Sequence, residues 1–195
     1  TADTLTLNSK KDDFKIKGTI WKDKYLHSLY KEAYTPWEWQ EELFNVARNE
    51  GLECFSSPFD STSVDFLESI NTPAYKIASF EITDIPLIKY VASKGKPVII
   101  STGIASSNDI ELAINTCRNT GNNDIALLKC TSSYPAPINE ANLLMIKDFA
   151  KKYNLISGLS DHTIGSIAPI VATTLGAKII EKHFILDKLK NQWEK

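Results

Sequence analysis

Two of the three histidines in this 195-residue chain close apolar runs, His162 in GLSDHT and His183 in AKIIEKH, 183 − 162 = 21 residues apart. Two imidazoles at adjacent strand ends suit a divalent metal with coordination positions open for substrate and water. The other apolar runs end mainly in hydroxyls. Ser56 and Ser57, Ser79, Ser101 and Thr102, Thr131, Ser132 and Ser133, and Ser160 stand at such ends, with Glu81 just beyond one of them. Short donors suit phosphate or carboxylate oxygens, because each hydroxyl donates one bond at close range. Lys76 lies inside the run AYKIAS, where an unpaired ammonium is costly, so an anionic ligand or Glu81 is its expected partner. Taken singly, a strand-end Ser or Thr also caps helices, and a lone histidine is more often structural. It is the recurrence of the pattern along the chain that favours chemistry. His27 has no convergent partner in the sequence, and Trp37 and Trp39 are expected to form helix-packing surface.

The elements that must position these residues follow from periodicity. Apolar runs recur at 52–57, 74–79, 97–102, 125–133, 155–162 and 177–183, a spacing that fits one strand plus one helix each time. Near-continuous apolar runs suit parallel strands buried on both faces. Between them, Ile110, Ala113, Ile114 and Cys117 fall at helical spacing behind a capping-box-like Asn108 and Glu111. Ile164, Ile167, Ala168, Val171, Ala172 and Leu175 form a second stripe, ended by Gly176. Residues 35–51 predict a helix with a Thr35 cap, Pro36 in its first turn and a stop at Gly51. The first 35 residues, charged and aromatic without sustained period, predict a long loop. Repeated strand–helix units indicate an α/β fold, either a doubly wound sheet or part of a barrel, with ligands at the carboxyl ends of the strands.

Composition narrows the function classes. Lys and Arg number 22 against 24 Asp and Glu, giving a formal charge of −2, so neither nucleic acid nor an anionic membrane surface is an expected partner. No apolar stretch reaches the length of a membrane span. Three cysteines without metal-type spacing favour a reducing, cytoplasmic setting.

The segments FSSPFD, YKIASFEITDIPLI, ISTGIAS, LLKCTSSYPAP, GLSDHT and EKHF resemble, in order and spacing, the sialic acid synthase family. TADTLTLN and LYKEAYTPWEW resemble its pseudaminic acid branch. The resemblance spans residues 1–187. It implies a (β/α)8 TIM-barrel catalytic domain, here an incomplete barrel matching strands three to eight. A divergent tail, 188–195, stands in place of the family's continuation, and the family's antifreeze-like domain is absent from this sequence. The full-length family form implies a domain-swapped homodimer.

The same resemblance implies the chemistry and its residues. Phosphoenolpyruvate would condense with an open-chain N-acetylated hexose, a 2,4-diacetamido-2,4,6-trideoxy sugar in the pseudaminic branch, plus water. The products would be a nine-carbon sugar acid and phosphate. His162 and His183 would hold Mn2+ or Mg2+, polarising the aldehyde. Lys76, Ser79, Ser101, Ser132 and Ser160 would hold phosphoenolpyruvate, with Ser57 near its carboxylate. Tyr134 would line the sugar pocket, Glu81 would position or deprotonate water, and Asp161 would orient a ligand. Siblings acting on the N-acetylneuraminate or legionaminic acid precursors are the alternatives within the class. An inactive truncated barrel and a metal-dependent hydrolase are the alternatives outside it, though a hydrolase accounts for neither Lys76 nor the serines.

Overall fold

The computed structural model describes residues 2–17 and 21–186; the tail at 188–195 lies outside them. The described residues form two compact units, one reaching Cys54 and taking in Ile185 and Leu186, the other running from Phe55 to Phe184.

In the first unit, helices replace much of the loop expected over the first 35 residues. They are α1 (Ala2–Leu5) and α2 (Leu26–Ala33), with a 3-10 turn at Asp12–Phe14. Asp3 and His27 form a 2.9 Å contact, a long-range polar pairing that periodicity does not register. His27 therefore does have a partner. Helix α3 (Trp37–Asn49) follows, with Pro36 rather than Thr35 at the N-cap. Phe44 is its buried residue, whereas Trp39 is 58% exposed, so the packing role expected of Trp39 falls to Phe44. Gly51 ends the segment at φ +73°, a conformation that suits glycine.

The second unit holds α4 (Ser61–Ser69), β1 (Tyr75–Ile77), α5 (Ile85–Ala92), β2 (Val98–Ser101), α6 (Ser107–Asn119), β3 (Ile125–Cys130), α7 (Met145–Tyr153), β4 (Ile156–Asp161), α8 (Ile167–Thr174) and β5 (Ile179–Lys182). The five strands are parallel and lie in chain order, β1-β2-β3-β4-β5. Such an order has no point where the winding reverses. It is the order of a barrel rather than of a doubly wound sheet.

The sheet is also curled. Four strand spacings would put β1 and β5 about 19 Å apart if the sheet were flat. Lys76 on β1 nevertheless reaches Glu181 on β5, with Nζ and Oε2 3.6 Å apart. The unit is thus a half-barrel of five parallel strands.

The sixth expected strand, 52–57, is not formed. It survives as one parallel bridge, Ser56 to Tyr75. Its Leu52 and Phe55 are 63% and 40% exposed, so no packing rewards extension, and Pro58 offers no amide to continue the ladder.

Tyr75, Ile77, Val98, Ile100 and Leu127 are fully buried on the face of the sheet packed by helices, together with Val64, Ile88, Val91, Ile114 and Ile146 from those helices. The box capping α6 is Ser106 with Asp109, two residues before the pair expected from the sequence. In the last stripe only Ala168 and Ala172 are buried, in a cluster with Ile146 and Leu159. Ile164 precedes α8 and is 75% exposed.

Candidate active site

Parallel register decides which residues share a face, because paired residues point the same way and the side chains alternate with period two. Lys76 pairs with Ile99, which puts Ser101 on the Lys76 face. Ser101 pairs with Leu128, adding Cys130. Cys130 pairs with Ser160, and Ser160 with Glu181. His162 and His183 lie two residues beyond these last two. The face opposite to the helices thus collects a lysine, hydroxyls, a thiol, a carboxylate and both histidines at the carboxyl ends of the strands.

Lys76 is 7% exposed and donates to the Ile77 carbonyl at 3.1 Å. Its ionic partner is Glu181 at 3.6 Å, not Glu81 as the sequence suggested. Burial lowers the Lys76 pKa, with Glu181 opposing the shift. The other Glu181 oxygen accepts from Ser160 Oγ at 2.6 Å. Glu81, on a 3-10 turn at Ser79–Thr83 after β1, has its pKa raised by burial while Lys76 pulls the other way.

The hydroxyls differ in their state. Ser79 Oγ accepts from the Gly103 amide at 3.2 Å. A Cβ at Gly103 would meet Ser132 Oγ and Ser79 Oγ, so glycine is what lets these two serines converge. Ser101 is 1% exposed and its hydroxyl has no partner among the described residues. A buried hydroxyl left unpaired in this way is an opening for a ligand oxygen. Ser57 stands one residue past the Ser56 bridge and, among the described residues, is not hydrogen-bonded into the Lys76 cluster.

The two imidazoles lie 5.4 Å apart, centroid to centroid. Tyr134, 56% exposed, touches both rings, tilted against His162 at 4.1 Å and edge-on to His183 at 5.6 Å, centroid to centroid. His162 is held on several sides. Its Nδ1 is 2.9 Å from the Thr131 carbonyl; since a carbonyl only accepts, Nδ1 carries a proton, and in the neutral ring Nε2 presents the lone pair. That is the tautomer of a metal-binding imidazole anchored by its other nitrogen. Its own carbonyl accepts from the Ala136 amide at 2.8 Å.

One residue before each histidine, on the opposite face, Asp161 and Lys182 form an ion pair. Lys182 also donates to the Thr163 carbonyl at 2.6 Å, and Asp161 accepts from the Thr163 amide at 3.0 Å. This clamp ties the ends of β4 and β5 together and sets the two imidazoles side by side. Among the described residues no cluster of three His, Cys, Asp or Glu side chains could hold a metal. The histidine pair offers two donors, and the remaining coordination positions would fall to substrate and water.

Cys130 and Glu181 escaped the sequence reading. Burial works against ionisation of Cys130, but hydrogen bonds with His162, Ser79 and Ser132 bring its pKa down to about 7. For His162, burial is outweighed by Cys130 and the Thr131 carbonyl, and its pKa rises. Both missed residues obey period-two alternation, Glu181 two before His183 and Cys130 two before Ser132. That was the available signal.

The family model described as the NeuB family matches residues 1–195. The chain belongs to that family. It is 53% identical to the pseudaminic acid synthase of Helicobacter pylori over 96% of this chain and 55% of that one. It is 36% identical to the N,N'-diacetyllegionaminic acid synthase of Legionella pneumophila, over 96% of this chain and 56% of the relative. Among solved structures, the N-acetylneuraminic acid synthetase of Leptospira borgpetersenii, crystallised with citrate, superposes with a TM-score of 0.82. The identity is 34%, covering 87% of this chain and 60% of that one. The chain spans about half the length of the curated NeuB relatives it matches.

Proposed function

We propose that this chain carries the third to eighth strands of a (β/α)8-barrel pseudaminic acid synthase, with the Ser56 bridge marking the third. The reaction would join phosphoenolpyruvate, an open-chain 2,4-diacetamido-2,4,6-trideoxy hexose and water, giving a nine-carbon sugar acid and phosphate. The observation that carries the reading is the single face shared by Lys76, the unpaired Ser101 hydroxyl and the His162–His183 pair, in a chain 53% identical to a pseudaminic acid synthase.

Lys76, Ser79, Ser101, Ser132 and Ser160 would hold the anion of phosphoenolpyruvate, with Ser57 toward its carboxylate, fixing the nucleophilic carbon against the aldehyde. Glu181 keeps Lys76 charged in its buried position and orients Ser160. Tyr134 would wall the sugar pocket. Carbon–carbon bond formation leaves cationic character at the adjacent carbon, water adds there under Glu81, and carbon–oxygen cleavage releases phosphate. A Mn2+ or Mg2+ ion on His162 and His183 would supply Lewis-acid polarisation of the aldehyde oxygen. The reading also implies a cytoplasmic enzyme and, in full-length form, a homodimer.

The test is a chimera in which this chain replaces the 188 matched residues of the Helicobacter pylori synthase. Phosphate release that requires both phosphoenolpyruvate and 2,4-diacetamido-2,4,6-trideoxyaltrose is the expected result. Turnover with N-acetylmannosamine instead would move the assignment to the N-acetylneuraminate branch. Release without any sugar would make it a hydrolase, and a folded but inert chimera would mean a non-catalytic barrel segment.

A further inference from the structure

We propose that the cleft at the carboxyl end of β3 is a second binding site for a small oxyanion, with Lys129 as its cation. The cleft is open to solvent, has a volume of about 540 Å³ and is lined by Lys129, Thr131, Ser132, Ser133, Glu140 and Asn142, with Gly103 and Cys130. Register places Lys129 on the opposite face from Cys130, and hence from Lys76, so its charge is separate from that of the first site.

Lys129 is 6% exposed. Its ammonium donates to the Cys130 carbonyl at 2.6 Å and to Thr131 Oγ1 at 3.0 Å, which accounts for two of its three protons. Unlike Lys76, it forms no ion pair with a carboxylate among the described residues. Glu140, the one acidic residue lining the cleft among the described residues, is exposed, and its bonds there run through its backbone carbonyl, which accepts from Thr131 Oγ1 and Asn142 Nδ2. A buried ammonium with only neutral partners is a charge awaiting its counterion. Ser132, Ser133 and the second Asn142 amide proton supply the short donors that oxyanion oxygens take, the Thr131 proton being held by the Glu140 carbonyl.

The ligand class is a phosphate or a carboxylate. The wall shared with the first site is Gly103, Cys130 and Ser132, which join the cleft to Ser79. An oxyanion leaving the Lys76 cluster therefore has a second cationic station beside it. The inference stands on Lys129 and its cleft, and its test requires no turnover of any sugar.

The experiment titrates the full chain with inorganic phosphate and, separately, with pyruvate, by calorimetry and 31P NMR. Two phosphates per chain are expected for the wild type and for Lys129→Arg. One is expected for Lys129→Met, with Lys76→Met retaining the Lys129 site. Affinity at the second site should fall at least ~10-fold in Lys129→Met, through loss of a charge-assisted hydrogen bond. Pyruvate competing there would identify a carboxylate as the natural occupant, and phosphate alone would identify phosphate. Equal phosphate stoichiometry and affinity in wild type and Lys129→Met would overturn the proposal, as would a wild type with a single site abolished by Lys76→Met.

Discussion

Lys76 on β1 and Glu181 on β5 approach to 3.6 Å although three strands lie between them in the sheet. The pair both records the curl of the half-barrel and sets the charge of its buried cation. Burial pulls the Lys76 pKa down and Glu181 resists. Anion binding needs the ammonium, so affinity falls as pH rises through the lowered value. Glu181→Gln removes the resisting charge and moves that fall to lower pH. Phosphate affinity measured from roughly pH 7 to pH 10 should show the displaced profile, and superimposable profiles would assign Glu181 to packing alone.

Cys130 should react as a thiolate near neutrality. With its pKa at about 7, its labelling rate by a small alkylating agent in metal-free protein should rise about tenfold between about pH 6 and pH 8. Cys117, pushed up to about 11 by burial, should stay unlabelled throughout. Mass spectrometry of the digested protein distinguishes the two.

The histidine pair predicts a metal response. His162→Ala and His183→Ala should each weaken Mn2+ binding at least ~10-fold, read by electron paramagnetic resonance, with far-UV circular dichroism unchanged. Because the His162 pKa is raised and a metal takes only neutral imidazole, Mn2+ affinity should fall as pH drops through that raised value. Full Mn2+ affinity in either alanine variant would remove that histidine from the ligand set.

The clamp on the opposite face predicts unequal costs. Asp161 is almost fully buried in its side chain, whereas Lys182 keeps a third of its exposure. Lys182→Met strands a buried carboxylate and should cost about 3 kcal/mol. Asp161→Asn, which leaves a partly solvated lysine, should cost about 1 kcal/mol. Urea denaturation ranks the two, and a reversed order would mean that Asp161 is stabilised chiefly by Thr163.

Gly103→Ala should disturb two serines at once. The added methyl must displace Ser79 and Ser132, at about 1–3 kcal/mol of overpacking, and phosphate affinity should drop with it. A variant that binds phosphate as the wild type does would show that these serines are free to move apart.

Five of the six runs expected to be strands do form them, because buried parallel strands are apolar almost throughout, as Ile125–Cys130 is. The run at 52–57 failed because apolar composition does not reveal whether a neighbour will cover it. The expected site residues Lys76, Ser101, Ser160, His162 and His183 do share one face. Glu181 was overlooked because it sits among charged neighbours in IIEKH, where composition suggests a solvated strand end. Its partners come from the β4–β5 register, which sets Ser160 beside it, and from the curl of the sheet, which brings Lys76 across to it. The Asp3–His27 contact was invisible for a different reason, since 24 residues of aperiodic chain separate its ends.

Along β4 and β5 two messages are interleaved, the odd letters of one being the even letters of the other. Ser160, His162, Glu181 and His183 spell the side that Lys76 faces, while Asp161 and Lys182 between them spell the fastening. Point substitutions can therefore edit either message separately. A single-codon insertion or deletion within these strands would exchange the two, turning the fastening inward and the imidazoles out. In this stretch of the gene, evolution can explore by replacement but scarcely by length.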